Sequence, residues 1–115
     1  MSASASFSPV RIRAAAIGDA PDVARLLEQL GYPCTRDEAA ERIATVLGDP
    51  RQQLLLAEVE GHACGLAAVD VRYSLTRGAD QARITALVVD REHARRGIGR
   101  ALLREVEAIS RRARV

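Results

Sequence analysis

The residues that follow Val89 have the types and spacing needed to bind a phosphate group. Gly97 and Gly99 lack a Cβ, so the backbone can bend tightly there and come close to an anion. If a helix begins at this turn, its first amides and the positive end of its dipole point at the same anion. Neighbouring arginines, Arg95 and Arg96 among them, would neutralise the negative charge. The segment therefore predicts a site for phosphate or pyrophosphate.

Other glycine-rich phosphate loops do not fit these residues. A Walker loop ends in Gly-Lys-Ser or Gly-Lys-Thr, and the sequence has no lysine. A dinucleotide-binding fingerprint has a third glycine three residues after Gly99, where Leu102 stands. A simpler interpretation stays open at this point, in which the glycines only form the turn that joins a strand to a helix.

Composition narrows the classes of function. A formal net charge of +2 and an aromatic fraction of 3% argue against a nucleic-acid-binding protein. Cys34 and Cys64 are isolated, which indicates neither a disulfide framework nor a zinc site, and Cys64 is expected in the core. We expect no metal, no membrane partner and a cytoplasmic location, because neither a signal peptide nor a membrane-spanning run is visible.

The elements that must position the turn can be read from periodicity. Val10 to Ala15 alternates like a strand, and Asp19 is placed to cap a helix that ends at Gly31. The other predicted elements are a helix capped by Thr35 and Glu38, strands at 54–59, about 63–73 and 84–89 with a polar loop at 76–81, and a last helix from Gly97 or Ile98.

The pairing of these strands is also predicted. Glu60-Gly61 is a tight turn, so the second and third strands should be antiparallel. Odd positions of the third strand, Ala67 to Tyr73, should face a core, and Ile84 to Val89 is apolar on both faces, as in a strand covered on both sides. The order β-α-α-β-β-β-α predicts an α+β fold with a mostly antiparallel sheet flanked by helices. Residues 10–115 form the expected single domain, after a disordered tail at 1–9.

The same order and the same turn resemble the GNAT N-acetyltransferase superfamily. The family pattern is [Gln/Arg]-x-x-Gly-x-[Gly/Ala], and Ala94-Arg95-Arg96-Gly97-Ile98-Gly99 matches it except at the first position. A register two residues later, Arg96 to Ala101, fits every letter. The first register is preferred because its distance from Leu87-Val88-Val89 is similar to that in the family.

The resemblance implies an acyl-CoA site. Its pyrophosphate would be bound by backbone amides, and its pantetheine arm would pair with the free edge of the fourth strand. The amides implied for the pyrophosphate are those of Arg95, Arg96, Gly97, Ile98, Gly99, Arg100 and Ala101. The main chain implied for the pantetheine arm is that of Leu87, Val88 and Val89, one of whose amides would also polarise the thioester carbonyl.

The implied reaction is transfer of an acetyl group from acetyl-CoA to a primary amine of an unidentified small-molecule or peptide acceptor. No residue is assigned as base or acid. The side chains considered are Glu28, Tyr32, His62, Asp70, Tyr73, Arg83, Thr85 and His93. Compared with the family, we expect a C-terminally short chain. The alternative is therefore a catalytically incomplete module that binds CoA or self-associates, and we expect a homodimer.

Overall fold

A four-stranded antiparallel sheet lies between two layers of helix. The computed structural model describes residues 9–113, and the sheet order is β1-β2-β3-β4. The elements are β1 (Arg11–Ala14), a 3-10 turn (Ile17–Asp19), α1 (Ala20–Leu30), α2 (Arg36–Leu47), β2 (Gln52–Val59), β3 (His62–Ser74), β4 (Ala79–Val89), a second 3-10 turn (Arg91–His93) and α3 (Ile98–Ala113). This arrangement confirms the predicted fold class. The expected disordered tail lies almost wholly outside the described residues.

Local signals set the ends of the first two helices. Gly31 ends α1 with φ of 103°, a left-handed conformation that suits glycine. At the start of α2, the Glu38 amide donates to Thr35 Oγ1 at 3.0 Å and the Thr35 amide donates to Glu38 Oε1 at 2.8 Å. The predicted capping box is confirmed. Asp19 does precede α1, but its carboxylate accepts from Arg13 and from the Ala16 amide instead of capping the helix.

Two hairpins connect β2, β3 and β4. Glu60 and Gly61 both have positive φ, 53° and 80°, as a two-residue hairpin turn requires. The predicted loop at 76–81 is too long, because β4 already begins at Ala79 and pairs there with Ser74. Gly78, with φ of 66°, closes the short turn. The polar residues Asp80 and Gln81 pair with Tyr73 and Arg72 of β3, and this hairpin pairing outweighs their low strand propensity.

The sheet separates two aliphatic cores. One core lies beneath α1 and α2 and contains Leu26, Ile43, Leu56 and Leu66. The other lies beneath α3 and contains Ile98, Leu102, Val106, Ile109 and the predicted core residue Cys64. In the described range no aromatic side chain is buried, in agreement with the low aromatic content.

Two burial predictions were wrong in part. Ala67 and Val69 are buried, but Tyr73 is 60% exposed because β3 extends past the helices that cover it. The fourth strand is covered on both faces only near its end, where Val88 faces α1 and Leu87 faces α3. Arg83, Ile84 and Thr85 are exposed, and β4 is the last strand of the described sheet. Helices α1 and α3 therefore pack on the end of β4 that leads into the glycine turn.

Candidate functional site

The chain between β4 and α3 has an unusual backbone. Ala94 is extended, Arg95 has φ of 67° and Gly97 has φ of 79°. The left-handed region costs a residue with a side chain roughly 1 kcal/mol, so Arg95 is held there by its surroundings. Backbone strain of this kind is concentrated at functional sites in proteins. Left-handed residues interspersed in a turn also make successive N–H groups converge, which is a known geometry for binding anions.

The amides of this turn are open. Ala101 donates its N–H to the Gly97 carbonyl at 3.0 Å, which is the first hydrogen bond of α3. Within residues 9–113, the amides from Arg95 to Arg100 have no hydrogen-bond partner. The first turn of α3 also contains no acidic side chain that could compete for them. Of the predicted pyrophosphate contacts, only the Ala101 amide is already engaged by the protein.

A groove lies in front of these amides. Its volume is about 690 Å³, and it is open to solvent. Its lining residues are Val89, Ala94, Arg95, Gly97, Ile98, Gly99, Arg100 and Leu103. Most of the predicted pyrophosphate residues thus share one groove with the end of β4. Arg96 is exposed and does not line the groove, while the adjacent Arg95 and Arg100 give it positive charge.

The predicted pantetheine contacts divide into two groups. The Asp90 amide donates to the Cys64 carbonyl at 2.8 Å, which continues the ladder between β3 and β4. Because backbone groups alternate along a strand, those of Val88 also face β3. The N–H and C=O groups of Leu87 and Val89 then face the open edge of β4. A ligand arm that pairs with this edge would use these two residues.

A buried carboxylate, which the sequence reading missed, sits where β4 ends. Asp90 is 7% exposed and accepts hydrogen bonds from Arg25, Gln29 and the Glu92 amide. Burial alone would raise the pKa of Asp90, but these hydrogen bonds outweigh it and lower the pKa below its ordinary value. Nδ1 of His93 is also buried there, 3.9 Å from Asp90 and without a hydrogen-bond partner in the described structure. An Asp directly after an apolar strand was the available sequence signal.

A second cavity opens on the opposite face of the sheet. It has a volume of about 450 Å³ and contains Asp70 and Thr85 among its lining residues. Hydrogen bonds from Arg72 at 2.8 Å, and from Arg83 at 3.2 Å, hold the pKa of Asp70 below its usual range. Ala86 and Ile84 pair with successive residues of β3, so Thr85 forms a bulge between them.

The remaining candidate bases and acids do not line that cavity. Glu28 is exposed and Tyr32 is 66% exposed. His62 is also exposed, and it lines a third cavity of about 410 Å³ together with His93 and Asp90. Among residues 9–113 no group of three or more His, Cys, Asp and Glu side chains is arranged to hold a metal ion. No described helix has the length and apolar character needed to cross a membrane. The structure therefore brings most residues of the predicted anion site together, and, as in the sequence analysis, no residue is assigned as the general base.

Comparison with protein families agrees with this geometry. The model of the acetyltransferase (GNAT) family matches residues 21–115, which include the open turn and its groove. The chain belongs to the GNAT family. Comparison with curated proteins finds no significant match.

Solved structures of GNAT proteins share the fold. A GNAT family acetyltransferase from Staphylococcus aureus has 25% identity and a TM-score of 0.83, covering 91% of this chain and 80% of that chain. A structure from Agrobacterium tumefaciens described as an acetyltransferase has 27% identity and a TM-score of 0.80, covering 90% and 74%. A ribosomal-protein-alanine N-acetyltransferase from Brucella melitensis has 20% identity and a TM-score of 0.74, covering 91% and 73%, and is similar in fold.

Proposed function

We propose that this GNAT protein is an N-acetyltransferase that transfers an acetyl group from acetyl-CoA to a primary amine. The observation that carries the proposal is the row of open amides from Arg95 to Arg100, facing a positively charged groove. A family match makes acyl transfer the expected chemistry, and the turn explains which donor fits. Within residues 9–113 these amides have no hydrogen-bond acceptor. The pyrophosphate of CoA has the negative charge and the acceptor oxygens to fill that place.

The donor would lie along the end of β4. With its pyrophosphate at Gly97 and Gly99, the pantetheine arm runs beside Val89 and Leu87, whose backbone groups face the open edge. From Val89 to Thr85 the strand advances about 13 Å. The thioester would therefore approach the bulge at Thr85, which also lines the cavity on the other face. Donor and acceptor would meet at this edge of the sheet.

The chemical step needs little from side chains. The neutral amine attacks the thioester carbonyl, the new C–N bond forms, and an outward-facing amide of Leu87 or Val89 stabilises the negative oxygen. The C–S bond then breaks, and the CoA thiolate takes a proton from solvent. The amine loses its proton to water, because the lowered pKa of Asp70 makes that carboxylate a weak base. Amine reactivity would then increase as pH rises toward the pKa of the acceptor.

Turnover with a panel of amines tests this function. Loss of the thioester absorbance is the preferred signal, because Cys34 is a half-buried free thiol that would react with thiol-detecting reagents. The panel should include amino sugars, free amino acids and peptides with a free N-terminus. Turnover of at least one amine is expected. If the protein binds CoA and turns over none of them, the activity proposal is wrong and only the binding function survives.

The second candidate is a catalytically incomplete module that binds CoA or self-associates. The free edge of β4 favours it, with Ile84 37% exposed beside that edge. A homodimer formed there would cover the same backbone groups that we assign to pantetheine. Light scattering with and without CoA tests whether dimerisation and CoA binding compete for this edge, since CoA should then dissociate the dimer.

For either function we propose a cytoplasmic location without a nucleic-acid or membrane partner. Free Cys34 and Cys64 are consistent with a reducing compartment.

A further inference from the structure

Asp90 combines burial, negative charge and many hydrogen bonds at the start of the anion-binding turn. At 7% exposure, it is the one buried charged residue in the described part of the chain. Arg25 donates to Oδ2 at 2.6 Å, while Gln29 and the Glu92 amide reach Oδ1 at 3.4 and 3.1 Å. Both carboxylate oxygens are thus used, and two of the three donors come from α1. A buried charge with this many partners is costly to lose.

The same network holds the backbone of the first residues after β4. The Arg91 amide donates to Gln29 Oε1 at 3.1 Å, and the His93 amide donates to the Asp90 carbonyl at 2.9 Å. Arg25 also donates to the Ala63 carbonyl at 2.7 Å, which ties the network to β3. The exit of the chain from β4 is therefore fixed against two other elements, α1 and β3.

We propose that Asp90 is a positioning residue for the anion-binding turn, with Arg25 and Gln29 as its supports. The strained conformation of Arg95 needs a rigid attachment on its N-terminal side, and the network supplies one at Glu92 and His93. Asp90 does not line the groove, and it acts through the direction that it gives to the following residues. The ligand part of this inference rests on the proposed CoA function.

A positioning role and a general structural role lead to different results. If Asp90 only stabilises the fold, its replacement should lower the unfolding temperature and leave the affinity of the folded protein for CoA unchanged. If it positions the turn, CoA should bind more weakly. The KM for S-acetyl-pantetheine, an acetyl donor without the pyrophosphate, should not change. The informative quantity is therefore the effect of the substitution on CoA binding relative to its effect on this shorter donor.

The experiment compares Asp90→Asn with Asp22→Asn. Asp22 is the matched control because it also pairs with Arg25, at 3.5 Å, yet its side chain is 47% exposed and makes no hydrogen bond to the turn. We expect Asp90→Asn to weaken CoA binding about tenfold by calorimetry, and Asp22→Asn to change it less than about twofold. The KM for S-acetyl-pantetheine should change less than about twofold in both. Equal effects of the two variants on CoA would overturn the proposal.

A ligand-free measurement keeps this test independent of the CoA function. Amide hydrogen exchange at Arg91, Glu92 and His93 should accelerate about tenfold in Asp90→Asn and stay unchanged in Asp22→Asn. If wild-type protein does not bind CoA, the function fails while exchange still decides the role of Asp90. Should Asp90→Asn not fold, Gln29→Ala replaces it, with about threefold effects expected in the same directions. Unchanged exchange in the folded variant would contradict the proposal.

Discussion

The N-termini of α2 and α3 are built in opposite ways. Before α2, Thr35 and Glu38 exchange hydrogen bonds, so the protein itself satisfies the first amides and adds negative charge. The corresponding positions before and in α3 are Gly97 and Arg100, which offer no acceptor and add positive charge. Both helices have the same dipole and the same unsatisfied amides by geometry. Only α3 leaves them free for a ligand.

The comparison teaches that a helix N-terminus is a binding site only where the chain does not cap it. A capping box stabilises the helix at the cost of the anion site, and an open turn does the reverse. The positive φ of Arg95 adds strain to the open turn, whereas Gly97 adopts its positive φ without strain. The predictions below change one helix start at a time, in order of decreasing expected effect.

Gly97→Ala should have the largest effect on CoA binding. A Cβ at Gly97 would meet no neighbour, so the cost is conformational, at φ of 79°. The turn is expected to relax and withdraw two or more amides from the phosphates, which weakens CoA about a hundredfold by calorimetry.

Gly78→Ala is the control for that change. Gly78 also has a left-handed φ, 66°, with open space around it, but it lies in the turn between β3 and β4. Both variants should lose about 1 kcal/mol of unfolding free energy. Unchanged CoA affinity is expected only for Gly78→Ala, and an equal loss in both would point to a global effect.

Arg100→Glu gives α3 an acidic residue at the position that Glu38 holds in α2. The carboxylate should repel the phosphates and compete for the open amides, with a loss of CoA affinity of about thirtyfold. Arg111→Glu makes the same charge change on an exposed residue near the other end of α3. Its effect should be below about threefold at physiological salt. Similar losses would mean that net charge, and not the turn, attracts CoA.

Thr35→Ala tests the other member of the comparison. Loss of the cap should lower the unfolding free energy by about 1 kcal/mol in urea. CoA affinity should not change, because these amides serve only the helix. A loss of affinity comparable to that of Gly97→Ala would show that the two helix starts are not independent.

The smallest effect on stability is expected at the start of α1, where Asp19 pairs with Arg13 instead of capping the helix. Hydrogen bonds from Arg13 lower the pKa of Asp19 below its ordinary 3.8. Its contribution to stability is therefore complete above pH 3.8 and is lost as pH falls through the lowered value. Asp19→Asn should reduce the stability difference between pH 6 and pH 2. If the variant retains the full difference, other carboxylates carry the acid sensitivity.

Features set by neighbouring residues could be predicted from the sequence. Thr35 with Glu38 predicts a capping box three residues apart, and Gly31 predicts a left-handed helix end, because both depend on local backbone geometry. The turn at Glu60-Gly61 belongs to the same class. The glycine turn before α3 was located correctly for the same reason.

Features set by tertiary packing could not be predicted in the same way. Tyr73 is exposed because of how far α3 extends over the sheet. Ile84 is exposed because β4 is the strand at the edge of the sheet. The role of Asp90 depends on Arg25, which is 65 residues earlier in the chain. Nothing in the residues beside Asp90 indicates that partner.

Amide NMR shifts during a CoA titration test the central claim most directly. The N–H signals of Arg96, Gly97 and Gly99 should shift strongly, and those at the start of α2, Asp37 and Glu38, should not. A weaker shift is expected at Leu87 and Val89 along the edge of β4. If CoA leaves the signals of Gly97 and Gly99 unchanged at saturating concentration, the open turn is not its binding site, and the account is contradicted.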